Sequence, residues 1–359
     1  MNTQLSLQER VVFSLRDLYS RYVMSKFEPY DLYARNKDFL ISDNVITFTD
    51  TNGQLMALKP DVTLSIVKNT RDTQQLQKLY YNENVYRVTK SSNGFREIMQ
   101  SGLECLGDID DYCVSEVLLL AAKSLAAISE NCILSVSHLG ILTQLLDGMQ
   151  LDRQQQAQLL RCIGEKNAHE LRQLCAQWNA DERLTDILQQ LIGISGPVVQ
   201  VLPQLKALLK QTVTPAALDR FTGVLTAVAQ LVPQICVNVD FSVVDDIHYY
   251  NGFVFKGFVS GLPGSVLSGG EYNKLMQKMG RRSGAIGFAV YLDMLQQLEE
   301  LPDGYDADVL LLCDAEADTA AVLARAEALS RQGSVLVRQS IPENLRCRRM
   351  ETFGRGEPN

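Results

Sequence analysis

The sequence predicts an α+β fold with an antiparallel sheet flanked by helices, a helical insertion and a small C-terminal α/β unit. Two hairpin patterns follow one another early in the chain, helical periodicity dominates from Asp111 to about Leu231, and strand patterns return after Pro233. One sheet that is interrupted by an insertion and then resumed explains this order. The predicted domains are a core at 1–149 and 233–301, a mostly helical insertion with its return to the core at 150–232, and an α/β unit with its tail at 302–359.

A helix opens the chain, and hairpins follow it. Apolar residues from Leu7 to Tyr22 recur at three- and four-residue spacing, and Ser6-Leu7-Gln8-Glu9 has the pattern of a capping box. Past Asp38 the pattern becomes that of strands, because short β-branched and apolar runs are separated by turn residues such as Thr51-Asn52-Gly53. The predicted strands are 39–41, 45–49, 54–58, 79–89 and 95–106, and the last four pair as two hairpins.

The second half alternates long helical patterns with single strands. Within the helical part we expect one strand at 133–137 and interruptions at Gly196-Pro197 and Pro203. Later strands are predicted at 236–241, 252–259 and 285–292, with turns at 261–264 and 268–270. A strand at 306–312, a helix at 315–332 and a strand at 334–337 form a β-α-β pattern, and Arg346, Arg348 and Arg349 are expected in a solvated end.

Composition excludes several classes of protein. The chain has 359 residues, 34 Lys and Arg against 42 Asp and Glu, and a net charge of −8, so a nucleic-acid partner would meet a repulsive field. Glu9 and Arg10 interrupt the position of a secretory signal, and no apolar run is long enough for a membrane span. We therefore expect a cytoplasmic protein with no membrane and no nucleic-acid partner.

Cofactor motifs give no signal. The eight cysteines form no C-x-x-C pair and lie mostly in apolar runs, which is typical of core residues in a reducing compartment. With only three histidines, a zinc site is not expected. The glycine patterns of phosphate-binding loops and the nucleophile elbow of hydrolases do not occur. We expect neither a metal nor a cofactor.

The strand at 95–106 carries polar residues on one face. Alternation places Gln100, Gly102 and Glu104 together, with Leu103 and Cys105 on the opposite face. A glutamine and a glutamate that flank a glycine suit a small polar ligand, because the glycine lets a ligand or another backbone approach closely. A solvated sheet face explains the same pattern, and the strand alone does not decide between the two.

Five ordered segments resemble the catalytic core of histidyl-tRNA synthetase, over roughly the first 130 residues and 236–298. They are Leu58-Lys59-Pro60-Asp61-Val62-Thr63, Val85-Tyr86-Arg87, 95–104, 248–255 and Ser268-Gly269-Gly270-Glu271-Tyr272. The resemblance implies the class II aminoacyl-tRNA synthetase fold, which is usually dimeric. The dimer-forming first motif of that family would fall near 26–30, where its proline is displaced by one residue.

The resemblance also implies a pocket for histidine. Asp61 stands where the family has a glutamate that accepts from the α-ammonium group, and Thr63 matches the threonine beside it. Gln100 and Glu104 match the pair that holds the amino acid, with Glu104 near the imidazole. Carboxylate, amide and hydroxyl acceptors suit a ligand that carries an ammonium group and an imidazole.

Three further residues complete the implied pocket. Tyr249 and Tyr250 match the tyrosines that close it, and Arg87 matches an arginine of the second motif. In a regular strand the two tyrosines would point to opposite faces, which would place one of them in the core. Arg87 is alternatively an ordinary ion-pairing residue of the sheet surface.

The groups that a synthetase uses to activate its amino acid are replaced. Asp245 stands at the position of the catalytic arginine, Met294 at that of the third-motif arginine, and Glu271 at that of the arginine in a Gly-Gly-Arg-Tyr-Asp element. Amino-acid activation needs cations on the ATP phosphates, whereas the cavity would be acidic, with Asp61, Glu104 and Asp245 around it and Glu271 as a further candidate. Only 54 residues run from Asp306 to Asn359, so we expect a truncated anticodon domain. Adenylation is predicted to be lost.

A retained histidine pocket without the adenylation arginines resembles the regulatory subunits of ATP phosphoribosyltransferase, as does His248-Tyr249-Tyr250 in place of Asp-Tyr-Tyr. This resemblance implies a non-catalytic chain that senses L-histidine, forms a homodimer within a hetero-oligomer and pairs with a short-form catalytic ATP phosphoribosyltransferase subunit, giving feedback control of the first step of histidine biosynthesis. The alternatives are a divergent histidyl-tRNA synthetase or amino-acid ligase, and a structural partner that no longer binds histidine.

Overall fold

A computed structural model describes residues 5–24, 30–32, 45–88, 94–244, 249–298, 305–342 and 345–354. Two compact units make up the chain: one spans Gln8–Gln296, and the other contains Met1–Leu7 and Gln297–Asn359. The predicted strand at 39–41, most of the dimer motif at 26–30, and Asp245 lie outside the described residues. The division of the larger unit into core and insertion stays a prediction.

In the described part of the larger unit, nine strands form one sheet and three more form a small one. In chain order the strands are β1 Val23–Met24, β2 Tyr30–Leu32, β3 Thr47–Thr49, β4 Leu55–Leu58, β5 Gln77–Val88, β6 Phe95–Gly107, β7 Cys132–His138, β8 Ser195–Pro197, β9 Cys236–Asp240, β10 Phe253–Val259, β11 Ser265–Glu271 and β12 Gly284–Tyr291. The large sheet has the order β1-β5-β6-β12-β11-β10-β7-β9-β8. All neighbours in it are antiparallel except β1 with β5 and β7 with β9. The predicted α+β architecture is confirmed.

Helices surround this sheet. They are α1 Leu7–Leu18, α2 Val62–Asn69, α3 Asp111–Ile128, α4 Leu139–Gly148, α5 Arg153–Gly164, α6 Ala168–Gln177, α7 Glu182–Gly193, α8 Val198–Leu209, α9 Pro215–Leu231 and α10 Asn273–Lys278, with a 3₁₀ helix at Asp293–Leu298. The predicted helix α1 is confirmed: it buries Val11 and Leu15, whereas Tyr19 and Tyr22 are buried just past its end. No helix in the described part of the chain combines the length and apolarity needed to cross a bilayer.

Both predicted hairpins form, but in different sheets. β5 pairs with β6 in the large sheet over twelve residue pairs, from Gln77 opposite Leu106 to Val88 opposite Phe95. β3 and β4 pair in the small sheet, whose order is β2-β4-β3. Asp50 stabilises the β3–β4 turn, because its carboxylate accepts from the backbone amides of Asn52 and Gln54. The prediction of hairpins is confirmed, and their division between two sheets was not foreseen.

Strand β11 lies where the sequence predicted a turn. Gly269 and Gly270 lie in the middle of the large sheet, so the predicted turn at 268–270 is wrong. A side chain at Gly269 would overlap the Gly287 carbonyl and Phe288, and one at Gly270 would lie 2.5 Å from the carbonyl oxygen of Phe253. Glycine is needed here for close approach of neighbouring strands, not for a turn conformation.

Pro203 does not interrupt the helical part. It lies inside α8, which continues to Leu209 and buries Val201, Leu202 and Leu205 on its inner side. Tertiary packing of this apolar face maintains the helix despite the missing amide of proline. The predicted interruption at Gly196-Pro197 does occur, as the short edge strand β8.

The described residues of the smaller unit form three parallel strands and one helix: β13 Ala307–Cys313, α11 Thr319–Ser330, β14 Val335–Arg338 and β15 Cys347–Phe353. β13 lies between β14 and β15, and the predicted β-α-β unit is confirmed. Arg348 and Arg349 are exposed, as expected of a solvated end, but they belong to strand β15, which the sequence did not predict. Strand β15 lacks an apolar run because it is an edge strand. Its Phe353 packs against the core of Val309, Leu311 and Leu329.

Candidate functional site

A cavity of about 420 Å³ lies over one face of the large sheet. It brings together most of the residues that the resemblance implies. Those that line it are Asp61, Thr63, Gln100, Glu104, Tyr249 and Tyr250. Arg87 lies in β5 opposite Arg96, and its side chain is outside the described part of the structure.

Strand β6 supplies the polar floor of the cavity. Gln100 and Glu104 share a face, and they are only 3% and 2% exposed, so the solvated-face interpretation of this strand is wrong. Between them, a side chain at Gly102 would lie 2.5 Å from the Tyr81 hydroxyl and would overlap the Phe288 carbonyl. The glycine is therefore required by the neighbouring strands, and the Tyr81 hydroxyl occupies the space where its side chain would lie.

Glu104 is held by two hydroxyl groups. The Thr63 hydroxyl donates to Oε1 at 2.6 Å, and the Tyr272 hydroxyl donates to Oε2 at 2.6 Å. In β12, Gly287 lies directly opposite Glu104 in the sheet, and any side chain there would overlap Oε2. Each carboxylate oxygen can accept two hydrogen bonds, so Glu104 keeps acceptor capacity toward a ligand.

Burial dominates the ionisation of Glu104. It raises the pKa of this carboxyl to about 8; the hydrogen bonds from Thr63 and Tyr272 oppose the rise, and the nearby carboxylate of Asp61 adds to it. The group is therefore largely protonated at neutral pH when the cavity holds no ligand. A ligand that brings a positive charge or an N–H donor would favour the ionised form.

Asp61 is placed by the start of α2. Its Oδ1 caps the helix by accepting from the backbone amide of Leu64 at 2.9 Å, which fixes the carboxylate at the cavity wall. One turn of α2 also places Thr63 beside Glu104, while Val62, Ile66 and Val67 bury the other side of the helix. Local helix capping and core packing therefore position two of the implied ligand-binding residues.

Aromatic rings close the cavity on one side. Tyr249 and Tyr250 lie just before β10, not within a regular strand, and both line the cavity, so the expectation of opposite faces does not apply. Their ring centroids are 4.7 Å apart, and Tyr249 lies 5.7 Å from Tyr272. Burial raises the pKa of Tyr249 and Tyr272 well above 10, so both stay protonated hydroxyl donors.

Sequence reasoning missed several lining residues. Tyr272 ends the quoted Ser-Gly-Gly-Glu-Tyr segment, so its role could have been assigned from the resemblance. Tyr81 and Lys256 occupy alternate positions of strands whose cavity-facing side was not predicted. Ser268 and Tyr291 also line the cavity and share a hydrogen bond of 2.6 Å between their hydroxyl groups.

Glu271 was expected near the same cavity, and this expectation is wrong. It points to the opposite face of β11, where its carboxylate accepts from Arg220 at 3.0 Å and from the backbone amide of Phe253 at 2.8 Å. The alternation of β11 explains the difference, because Ser268 faces the cavity and Glu271 is three residues away. Arg220 also pairs with Asp111 at 2.6 Å, which joins α9 to α3.

The described lining residues determine which groups the cavity can bind. Among the described residues, no group of three or more His, Cys, Asp and Glu side chains could hold a metal ion. Met294 lies in the 3₁₀ helix, half-buried and outside the cavity lining. Chemically, the cavity offers acceptors and an aromatic wall at one end and one cation, Lys256, among its described lining residues.

Known proteins resemble the chain over most of its length. ATP phosphoribosyltransferase regulatory subunits of Clostridium kluyveri and Streptococcus gordonii are 28% and 29% identical to it, over 281 and 315 residues. The first alignment covers 76% of this chain and 72% of the relative, and the second covers 84% and 94%.

Solved structures share the fold. A protein of Bacillus halodurans C, described as an ATP phosphoribosyltransferase regulatory subunit/histidyl-tRNA synthetase, superposes with a TM-score of 0.73 at 21% identity, covering 99% of this chain and 97% of the other. A chain of the ATP phosphoribosyl transferase (HisG:HisZ) complex from Thermotoga maritima gives a TM-score of 0.64 at 19% identity, covering 81% and 98%. The predicted class II synthetase fold is thereby confirmed.

A family model described as histidyl-tRNA synthetase matches residues 14–295, which include every described residue of the cavity. The chain therefore belongs to the histidyl-tRNA synthetase family.

Proposed function

We propose that the chain is a non-catalytic regulatory subunit of ATP phosphoribosyltransferase that binds L-histidine in the cavity over β6. The observation that carries the proposal is the buried Glu104, held between the hydroxyl groups of Thr63 and Tyr272 with Gln100 on the same face. A carboxyl group of this kind is suited to an imidazole, because it can accept from an imidazole nitrogen or transfer a proton to it.

The remaining lining residues fit the rest of the amino acid. Asp61 and Gln100 supply oxygen acceptors for an α-ammonium group. Tyr249 and Tyr250 supply an aromatic wall that excludes water and packs against a flat ring. Arg87 is proposed to contribute from β5. A ligand with two positive or proton-donating groups and a ring would satisfy these acceptors together.

The proposed partner is a short-form catalytic ATP phosphoribosyltransferase subunit. Relatives named as regulatory subunits of that enzyme resemble this chain over most of their length, and a chain of the HisG:HisZ complex shares its fold. In such an assembly L-histidine binding would bias a distant catalytic site, which gives feedback control of the first step of histidine biosynthesis. A homodimer within a hetero-oligomer is the proposed assembly.

Charge favours regulation over catalysis. Amino-acid activation requires cations around the ATP triphosphate, and Lys256 is the one basic residue among the described lining residues, which also include the acidic side chains Asp61 and Glu104. Met294 stands where the family has a third-motif arginine. It is uncharged and lies outside the cavity lining, so it does not replace the missing cation. An ATP triphosphate would gain little attraction here.

The match to the histidyl-tRNA synthetase family supports one alternative function. A divergent histidyl-tRNA synthetase or amino-acid ligase would use the same cavity and would also need ATP. The two functions differ in one measurement, since only the enzyme exchanges pyrophosphate into ATP when L-histidine is added. A structural partner that has lost L-histidine binding would give neither binding nor exchange.

Calorimetric titration with L-histidine, followed by ATP, tests the proposal. L-Histidine should bind, Glu104→Ala should weaken that binding at least about 10-fold, and Glu97→Ala at an exposed position of the same strand should leave it unchanged. Pyrophosphate exchange should stay at background. Exchange above background, or no L-histidine binding either alone or with the catalytic partner, would contradict the proposal.

A further inference from the structure

We infer that Lys256, together with the hydroxyl groups of Ser268 and Tyr291, binds the α-carboxylate of the amino-acid ligand. This inference rests on the proposed function and adds to it the residue that fixes the ligand's orientation. Lys256 belongs to β10, three strands away from the strand that carries Gln100 and Glu104. Its position therefore defines a second end of the cavity.

The register of the sheet places these residues in one row. Lys256 lies opposite Ser268 of β11, Ser268 opposite Ala289 of β12, and Ala289 opposite Gly102 of β6. Lys256, Ser268 and Ala289 line the cavity. The small side chains of Ser268 and Ala289 leave the row open beside Lys256, and the Tyr81 hydroxyl lies over Gly102 at the other end of the row.

The cavity has charge of opposite sign at its two ends. Glu104 is two residues beyond Gly102, so its Cα lies roughly 16 Å from that of Lys256 at ordinary strand spacing. Long side chains at both positions shorten the gap between the charged groups. Lys256 is half-buried, and a cation in such a place interacts with an anion more strongly than one in bulk water.

A chain of polar groups links the acceptors for the ammonium group to Lys256. Tyr291 lies opposite Gln100 in the sheet, and its hydroxyl is 2.6 Å from the Ser268 hydroxyl, next to Lys256. The ammonium and carboxylate of an amino acid share one carbon atom. A ligand whose ammonium reaches Gln100 therefore directs its carboxylate along Tyr291 and Ser268 toward Lys256, while its imidazole reaches Glu104.

Two ligands that differ in one charge test this inference. L-Histidinamide keeps the ammonium group and the imidazole of L-histidine, but a neutral amide replaces its carboxylate. Calorimetry on the full chain should show that Lys256→Met weakens L-histidine binding by about 10- to 100-fold and changes L-histidinamide binding less than about twofold. Lys256→Arg should recover most of the affinity for L-histidine, because it restores the cation.

Unchanged L-histidinamide binding in Lys256→Met also demonstrates that the variant is folded. The inference is overturned if Lys256→Met weakens both ligands equally, or if the wild-type preference for L-histidine over L-histidinamide survives the substitution. In both cases L-histidine binding by the wild type would leave the proposed function standing. A wild type that binds neither ligand, with or without the catalytic partner, would overturn the inference and the proposed function together.

Discussion

Replacing Glu104 with glutamine should make the protein more stable at neutral and alkaline pH. The amide keeps the size of the side chain and can accept from Thr63 and donate to the Tyr272 hydroxyl, so both hydrogen bonds have a replacement. It removes a carboxyl whose ionisation is opposed by burial. The wild type has to accommodate that charge as the pH rises, and the variant does not.

The size of the effect follows from the two pKa values of the carboxyl. Its ordinary pKa is 4.5 and burial raises it to about 8 in the folded protein, which corresponds to roughly 5 kcal/mol of unfolding free energy. A raised folded pKa means that this contribution is fully present below pH 4.5 and is lost as the pH rises through about 8. At pH 7 the wild type should therefore have lost roughly 3 kcal/mol that the variant retains.

Urea unfolding at a series of pH values measures this difference. The single tryptophan, Trp178, reports on the unit that contains Glu104. The unfolding free energy of Glu104→Gln minus that of the wild type should increase between pH 4.5 and about 8 by several kcal/mol, and should be constant above that range. Glu130→Gln, at an exposed position, should stay within about 0.5 kcal/mol of the wild type at each pH.

A constant offset between variant and wild type across the whole pH range would refute this reasoning. It would mean that Glu104 ionises normally in the folded protein and that its burial is compensated. The role of this carboxyl as a partially protonated acceptor for an imidazole would then lose its physical basis.

Three further predictions test other parts of the structure. Gly287→Ala should weaken L-histidine binding at least about 10-fold, because its methyl group would overlap Glu104 Oε2, whereas Gly223→Ala, with open space around it, should bind normally; equal affinities would contradict the placement of Glu104. L-Histidine affinity should be highest between about pH 6.5, which is the ordinary pKa of an imidazole, and about pH 8, which is the pKa of Glu104. In that range the imidazole of the free ligand is deprotonated and Glu104 is protonated, so the two groups together carry one proton. Calorimetry in buffers of different ionisation enthalpy should give proton uptake above pH 8, and affinity that keeps increasing above pH 9 would argue against a shared proton. Arg220→Met should lower the unfolding free energy by about 2 to 4 kcal/mol by leaving Glu271 buried without its partner, and adding Glu271→Gln should recover part of it; a double variant no more stable than the single one would exclude this cause.

Strand alternation predicted that the two polar residues at the centre of the cavity share a face. Their burial determines whether that face meets solvent or a ligand. Gln100 and Glu104 were placed on one face from their spacing alone. Whether that face is solvated depends on what covers it, and the covering residues Tyr249, Tyr250 and Thr63 come from distant parts of the chain. Alternation carries no information about such long-range packing, so only the resemblance brought these residues together before the structure did.

Glycine was ambiguous for a physical reason. Gly269-Gly270 permits a turn and also permits close approach of strands, and both need the absence of a side chain. The neighbours that decide between these uses, Gly287, Phe288 and Phe253, belong to other strands. Because a turn was predicted at 268–270, strand β11 was not predicted. The position of Ser268 and Glu271 on opposite faces of that strand could therefore not be predicted either.

Charged edge strands and prolines were the other sources of error. β15 contains Arg348, Arg349 and Glu351, so its sequence lacks the apolar alternation of a buried strand, and only pairing with β13 identifies it. Pro203 disfavours a helix locally, but the apolar face of α8 is buried, and packing outweighs propensity there. In each case a tertiary interaction overrides a local preference.

Feedback inhibition tests the central claim most directly. The catalytic ATP phosphoribosyltransferase subunit should be assayed with L-histidine in complex with this chain, carrying either wild-type Glu104 or Glu104→Gln. L-Histidine should inhibit the wild-type complex, and inhibition by the Glu104→Gln complex should require at least about 10-fold more ligand. Identical inhibition of the two complexes, or none in either, would contradict the claim that this cavity senses L-histidine for the enzyme.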